Sequence, residues 1–480
     1  MRLVSLLLVL LAISSNIFAQ LTPARPLPQD VLAMLYADSS RPILITAVQI
    51  QGNKRTKDYI IRREMRFKAG DSIRASLFSD MIEQSRSLVY NTQLFTQVNI
   101  TTALDSNGNG IAINIDVAEK WYLYPTPQFR LVDRNFNEWL NRFNGDLNRV
   151  VYGLKFAHYN FSGRRDQLRV YLLTGYARTV SLNYSSPYSN KALTEGFAIG
   201  TGYTQFREVG YRTTRNNAIA NYSNKGFVRQ AFSASGAYII RRGFYNSHVI
   251  SLGFSTISVN DSVVIKSGGD YFNTQNTSAR FADLSYSYRH INVDNVNYPL
   301  KGKFGALSVF KRGFGFKGGI NLLEFNTAGA LYLPHGKGWN SSFQLAAKLK
   351  APFDVAYINR RALGFGEFYL RGLEYYVIDG VAAALAQYTL KKKLISFDIP
   401  VPFKIKVLPK IPVALFAKTF ADAGRSYIPA TLDTRLNNRF LYTAGFGLDI
   451  LTLYDINVKL EYSFNQLGQN GLFLHMRGGF

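Results

Sequence analysis

From Trp121 onward the chain repeats one pattern: segments of about ten residues in which apolar and polar side chains alternate. Leu168–Thr174, Ser233–Ile240, His248–Ser255, Asp283–Arg289 and Leu441–Asp449 are representative cores, separated by clusters of Gly, Asn and Ser. About sixteen such segments fit into residues 121–480, an even number within the range of single-chain transmembrane β-barrels. Short links are expected at 161–165, 187–192, 241–243, 295–302 and 334–338. Longer ones are expected at 133–148, 209–227, 259–278, 350–380 and 424–439, with 391–410 a long link on the otherwise short side. That asymmetry suits short turns at one membrane face and loops at the other, and a soluble sandwich would not require it. The ending agrees: Leu472, Leu474, Met476, Gly478 and Phe480 share one face at period two, as in a lipid-facing last strand.

The segment before this region has a different character. Arg2, an apolar run from Leu3 to Ile13 and the small residue Ala19 predict a secretory signal over 1–19, with cleavage after Ala19. No later run of 18 apolar residues predicts a helical membrane span. Residues 20–42, with Pro23, Pro26 and Pro28, read as a linker with one short helical turn at most. Residues 43–120 then read as β-α-α-β-β: a strand to Gln51, a helix capped by Thr56, a break at Gly70-Asp71-Ser72, a helix over 75–90, and a hairpin around Asn107-Gly-Asn-Gly110. An exposed strand edge in such a domain would accept an extended peptide by β-augmentation.

Charge is distributed unevenly. Residues 43–120 hold 10 Lys/Arg against 8 Asp/Glu, whereas residues 121–480 hold 43 against 21. Charge alone leaves both nucleic acid and an anionic membrane surface open. With no cysteine, disulfides, thiol chemistry and Cys-ligated zinc are excluded. The five histidines show no ligand spacing, and Gly313-Phe-Gly-Phe-Lys-Gly318 links two strands rather than opening a helix. The sequence therefore predicts no enzyme, no cofactor and no metal.

One stretch interrupts the strands: Leu363-Gly-Phe-Gly-Glu-Phe-Tyr-Leu-Arg-Gly-Leu-Glu374. Arg371 keeps its charge in any setting, so it needs an acceptor, and Asp422 in Phe420-Ala-Asp-Ala-Gly424 is the candidate. Together with Asn160-Phe-Ser-Gly-Arg164, Tyr184-Ser-Ser-Pro-Tyr188 and Asp294-Asn-Val-Asn-Tyr-Pro-Leu-Lys-Gly302, these motifs over residues 43–480 resemble the BamA/TamA/FhaC superfamily of outer-membrane barrels. Gly52-Asn53, Gly70-Asp71 and Leu94-Phe95 make residues 43–120 similar to a single POTRA domain.

The resemblance implies that the loop folds into the lumen and is locked by Arg371, Gly372, Asp422 and Gly424. Thr389 stands where the family often has a second carboxylate, leaving Glu367 and Glu374 as alternative partners. It further implies a lateral seam between the first strand, near 121–130, and the last, which carries the insertion signal Leu472, Leu474, Met476, Gly478, Gly479 and Phe480. Arg241, Arg242, Lys391, Lys392 and Lys393 are expected at periplasmic turns, as a basic rim facing lipid headgroups.

The implied function is assembly, insertion or translocation of client polypeptides at a Gram-negative outer membrane, with the POTRA domain in the periplasm. Implied partners are unfolded outer-membrane or secreted clients, outer-membrane lipids and periplasmic lipoprotein subunits, and no nucleic acid. The alternatives are a two-partner-type secretion pore, or a non-polypeptide channel, lipid-transport or structural subunit. The single POTRA domain keeps the last in play.

Overall fold

The computed structural model describes residues 27–477 except 38–39, 106–109, 133–138, 141–142, 315–319, 367, 401–409, 430–431, 433 and 453–454. The expected signal peptide, most of the Asn107–Gly110 turn, Glu367, and Gly478, Gly479 and Phe480 lie outside the described residues.

In the N-terminal domain, β1 (Pro42–Gln51), β2 (Ser72–Arg74), β3 (Phe95–Leu104) and β4 (Gly110–Glu119) form a sheet of order β2-β1-β4-β3, with β1 parallel to β4. Helices α2 (Asp58–Arg62) and α3 (Ala75–Tyr90) cover it. In α3, Phe78, Ile82, Ser85 and Val89 recur at helical spacing and are buried, so one stripe meets the sheet. Ile111, Ile113, Ile115 and Val117 alternate along β4 and fill the other side of the same core.

Two local expectations change. The stretch before β1 is not simply linker: α1 (Gln29–Ala37) adds Val31 and Leu35 to the domain core. Thr56 does not cap α2, whose N-cap is Lys57. Its hydroxyl lies 3.0 Å from the Tyr122 hydroxyl and accepts from Asn160 Nδ2 at 2.9 Å, tying the domain to the barrel.

Sixteen antiparallel strands follow. They are β5 (Leu123–Leu131), β6 (Val150–His158), β7 (Gln167–Gly175), β8 (Ala177–Ser186), β9 (Glu195–Phe206), β10 (Arg229–Arg242), β11 (Asn246–Val259) and β12 (Ser278–Val293). The second half comprises β13 (Gly302–Arg312), β14 (Leu322–Gly336), β15 (Trp339–Ala351), β16 (Ala382–Pro400), β17 (Lys410–Tyr427), β18 (Phe440–Leu451), β19 (Asn457–Asn465) and β20 (Asn470–Arg477). Every strand pairs with its neighbours in sequence, the pattern of an up-and-down barrel.

The alternation decides what each face meets. On β11, Ile250, Leu252 and Phe254 are exposed, and they continue into a belt with Leu182, Ile199, Leu331, Leu345, Phe446 and Leu474. A soluble protein does not leave so broad an apolar band in water; a barrel places it against lipid. No helix among the described residues is long and apolar enough to cross a membrane.

Links at the N-terminal-domain end span 159–166, 187–194, 243–245, 294–301, 337–338 and 452–456. Those at the other end include 132–149, 207–228, 260–277 and 352–381, but Tyr176 and residues 466–469 are short links there as well. Within the expected long link at 391–410 the described residues are strand: β16 runs on to Pro400 and β17 begins at Lys410, past the last rungs shared with β15 and β18 at Lys392 and Ala414.

Candidate functional site

The loop 352–381 returns into the barrel. A small ladder between Arg361–Leu363 and Ile378–Asp379 frames it, and Leu363, Leu370, Leu373 and Ile378 pack with Leu385 and Leu441 of the wall. Its tip turns at Gly372, at φ +91°, where a Cβ would stand 2.8 Å from that of Ser463. Close approach to the wall and the left-handed backbone together require glycine there.

At the tip, the Arg371 backbone N–H and Nε each donate to Asp422 Oδ2 at 2.9 Å, and Nη2 donates to Oδ1 at 2.5 Å. Nη1 donates to Thr389 Oγ1 at 2.9 Å and Nη2 to the Tyr388 carbonyl at 3.2 Å. The guanidinium also lies 4.1 Å from the Phe420 ring centroid. This forked, planar recognition is what Arg supplies and Lys does not. Thr389, where a second carboxylate was expected from the resemblance, is thus a neutral acceptor for the same guanidinium. Glu374 bonds the Gly372 N–H at 2.6 Å rather than Arg371. Gly424 sits on the wall where a Cβ would come within 3.1 Å of Leu370 Cδ1.

Beneath the tip the lumen wall holds a charge cluster that the sequence reading missed. Lys418 Nζ lies 2.5 Å from both Asp449 Oδ1 and Glu461 Oε1, and the Tyr298 hydroxyl donates to Asp449 Oδ2 at 2.8 Å. Inward parity at period two was the available signal, but parity does not show which inward residues meet across the wall.

The five expected rim residues have different surroundings. Lys391 shares the inward face of β16 with Thr389 and lies 3.4 Å from Asp449, 4.0 Å from the Tyr298 ring centroid. It is a lumen residue, because the strand continues where a turn was expected. Arg241 is also not a solvated rim charge: it pairs with Glu64 of the N-terminal domain, Nη2 to Oε2 at 2.6 Å. Arg242 is exposed, Lys392 lies 5.1 Å from the Trp339 ring centroid, and the Lys393 N–H donates to the Gly338 carbonyl.

The Arg241–Glu64 contact belongs to a broad junction. Tyr188, fully buried, inserts from the 187–194 link into the core of the N-terminal domain and donates to Glu64 Oε1 at 3.0 Å. Burial alone would raise the Glu64 carboxyl, but the charge and hydrogen bond of Arg241, with Arg165 and Arg63, hold it below the usual carboxylate range. Across the barrel end, Asp455 accepts from Tyr90 at 2.9 Å and from Asn295 at 2.9 Å, while Arg55 donates to the Phe161 carbonyl at 2.6 Å.

At the other candidate site, β5 and β20 are the two ends of the sheet, and no ladder joins them among the described residues. Pro125 and Pro127 lie within β5 and cannot donate to one. On β20, Leu472 and Leu474 are 60% and 65% exposed while Phe473 is 8% exposed and His475 turns inward. Met476 lies in the same strand.

Residues 43–120 match the POTRA family model, described as surface antigen variable number repeat. No curated protein sequence matches the chain. Among solved structures, CdiB from Escherichia coli is 12% identical, with 90% of this chain and 75% of that one covered at a TM-score of 0.50. BamA from Haemophilus ducreyi lacking POTRA domains 1–3 is 17% identical, with 92% and 85% covered at 0.49. The chain therefore joins a domain that matches the POTRA family model to a sixteen-stranded antiparallel barrel whose fold is similar to that of CdiB.

Proposed function

We propose that this protein is an outer-membrane barrel that handles polypeptides. Its POTRA domain captures an extended client on the free edge of β3, and the client passes into the bilayer at a seam between β5 and β20. The observation that supports this reading is that, among the described residues, the two end strands are not joined in an otherwise continuously paired sheet. A closed ladder would resist opening, whereas an unpaired edge offers backbone donors and acceptors to an incoming strand. The Arg371–Asp422 contact then serves as a lock that keeps the loop on the wall beside the seam. Placement of α1 on the POTRA core, rather than in the lumen, favours insertion over a secretion pore with a plugging helix.

Since the chain has no cysteine, one engineered pair across β5 and β20 tests the seam cleanly. The oxidised protein is expected to remain folded and lose client assembly, with recovery on reduction. Full activity while stapled refutes the seam. Depletion followed by quantitative outer-membrane proteomics identifies the clients to assay. An unchanged proteome with altered permeability or lipid asymmetry would instead select the channel or lipid-transport reading.

A further inference from the structure

We propose that Glu374, Glu461 and His475 form a binding site for one zinc-type divalent transition-metal ion that fastens the loop tip to the last two strands. The three residues come from separate places: Glu374 from the loop, Glu461 from β19 and His475 from β20. One ligand atom of each lies within 4.8 Å of the other two. His475 Nε2 is 3.4 Å from Glu374 Oε1 and 3.4 Å from Glu461 Oε2.

Those separations match an ion. Ligand atoms at about 2.0–2.1 Å around a tetrahedral centre stand roughly 3.4 Å apart. Glu461 is 2% exposed, and its Oε2 and His475 Nε2 are both shut from solvent with no aligned hydrogen bond. An unsatisfied carboxylate oxygen and imidazole nitrogen aimed at one point are costly without an ion or proton between them.

The supporting partners hold the ligands in place. Gly372 N–H bonds Glu374 Oε2, Lys418 bonds Glu461 Oε1, and the Tyr369 ring lies 5.7 Å from the His475 ring, centroid to centroid. With Oε1 held by Lys418, Glu461 turns Oε2 toward His475, the arrangement that outer partners enforce in metal centres. One imidazole with two carboxylates, and a fourth position open, suits zinc-type ions. Calcium or magnesium would call for six or more oxygen ligands or retained waters.

Ion binding would join the loop to the strand that forms one edge of the seam. That consequence rests on the seam reading, whereas the ion site does not.

The test uses untagged, full-length protein folded in detergent micelles, stripped of metal and dialysed against micromolar Zn2+. One zinc per chain is expected, with affinity weakened by more than roughly tenfold in His475→Ala and in Glu374→Gln. Co2+ should give the visible absorption of a four-coordinate site, lost in the same variants. Heat-modifiable gel migration identifies variants that remain folded, and Glu374→Gln keeps the shape of the side chain if His475→Ala does not fold. Absence of stoichiometric zinc, or equal binding by wild type and a folded variant, overturns the proposal. A β5–β20 staple that leaves activity intact would sink the seam reading and leave the ion site standing.

Discussion

Replacing Arg371 with Ala removes the guanidinium from a carboxylate that is almost completely enclosed: Asp422 is 3% exposed. The substitution deletes two side-chain hydrogen bonds to Asp422 and those to Thr389 and the Tyr388 carbonyl. Breaking one partner of a buried ion pair costs about 3–5 kcal/mol, mostly because the other charge is left behind. Here Asp422 keeps the Gln387 amide at 3.1 Å and the backbone N–H of residue 371 at 2.9 Å, so the expected cost lies near the lower end, about 3 kcal/mol. The readout should follow the loop rather than the whole barrel. Leu373 is 2% exposed, and a cysteine placed there is the chain's sole thiol. At about 1.4 kcal/mol per decade, release of the tip should raise its maleimide labelling rate roughly a hundredfold. Asp422→Asn should act similarly, and the double variant should cost at least about 1 kcal/mol less than the sum of the two, since neither charge is then stranded. Additive effects with an unchanged labelling rate would refute the lock.

Gly372→Ala, which forces a Cβ toward Ser463 from a left-handed backbone, should loosen the same tip by about 1–2 kcal/mol, read as an approximately tenfold faster labelling of the same cysteine. At the other end of the barrel, Glu64→Gln should weaken POTRA docking by about 1–3 kcal/mol by stranding Arg241, measured as faster proteolysis of the junction. Because the Glu64 pKa is depressed in the folded protein, its contribution is complete above the unfolded value of about 4.3 and is lost as pH falls through the lower folded value. Docking should therefore hold constant from about pH 8 to 5 and weaken only in acid, and the Gln variant should lose that dependence.

The strands were legible because lipid and lumen impose opposite demands on alternate residues, so Ile250, Leu252 and Phe254 declare one face without help from the rest of the chain. The Arg371–Asp422 contact was legible because a permanent charge in an apolar stretch narrows its partners to a few. What failed to show depended on tertiary neighbours. Val31 and Leu35 form too short an apolar pair to announce α1; packing on the POTRA sheet stabilises it. Lys391, Lys392 and Lys393 were expected as a basic rim at a turn, yet β16 continues through them and turns Lys391 to the lumen and Lys392 toward Trp339. Glu374, Glu461 and His475 are separated by 87 and 14 positions, so no spacing rule could unite them.

Residues 371–376 bond to the C-terminal strands, and that bears on how a seam works. Arg371 ends on β16 and β17, Gly372 accepts from Asn465 of β19 at 2.8 Å, and Tyr376 donates to Gln469 beside β20 at 2.8 Å. The base of the loop is held elsewhere: Val377 exchanges hydrogen bonds with Asn217 of the 207–228 link, and Arg360 pairs with Asp270 of the 260–277 link. The POTRA domain instead spans both halves: Thr56 and Glu64 reach the links after β6 and β8, whereas Tyr90 reaches Asp455 between β18 and β19. Separation of β5 from β20 therefore leaves the lock intact but strains the POTRA contacts on one half or the other. On this geometry the domain that would capture the client is also the one whose docking restrains the two halves, whereas Arg371 ties only the loop tip to β16 and β17.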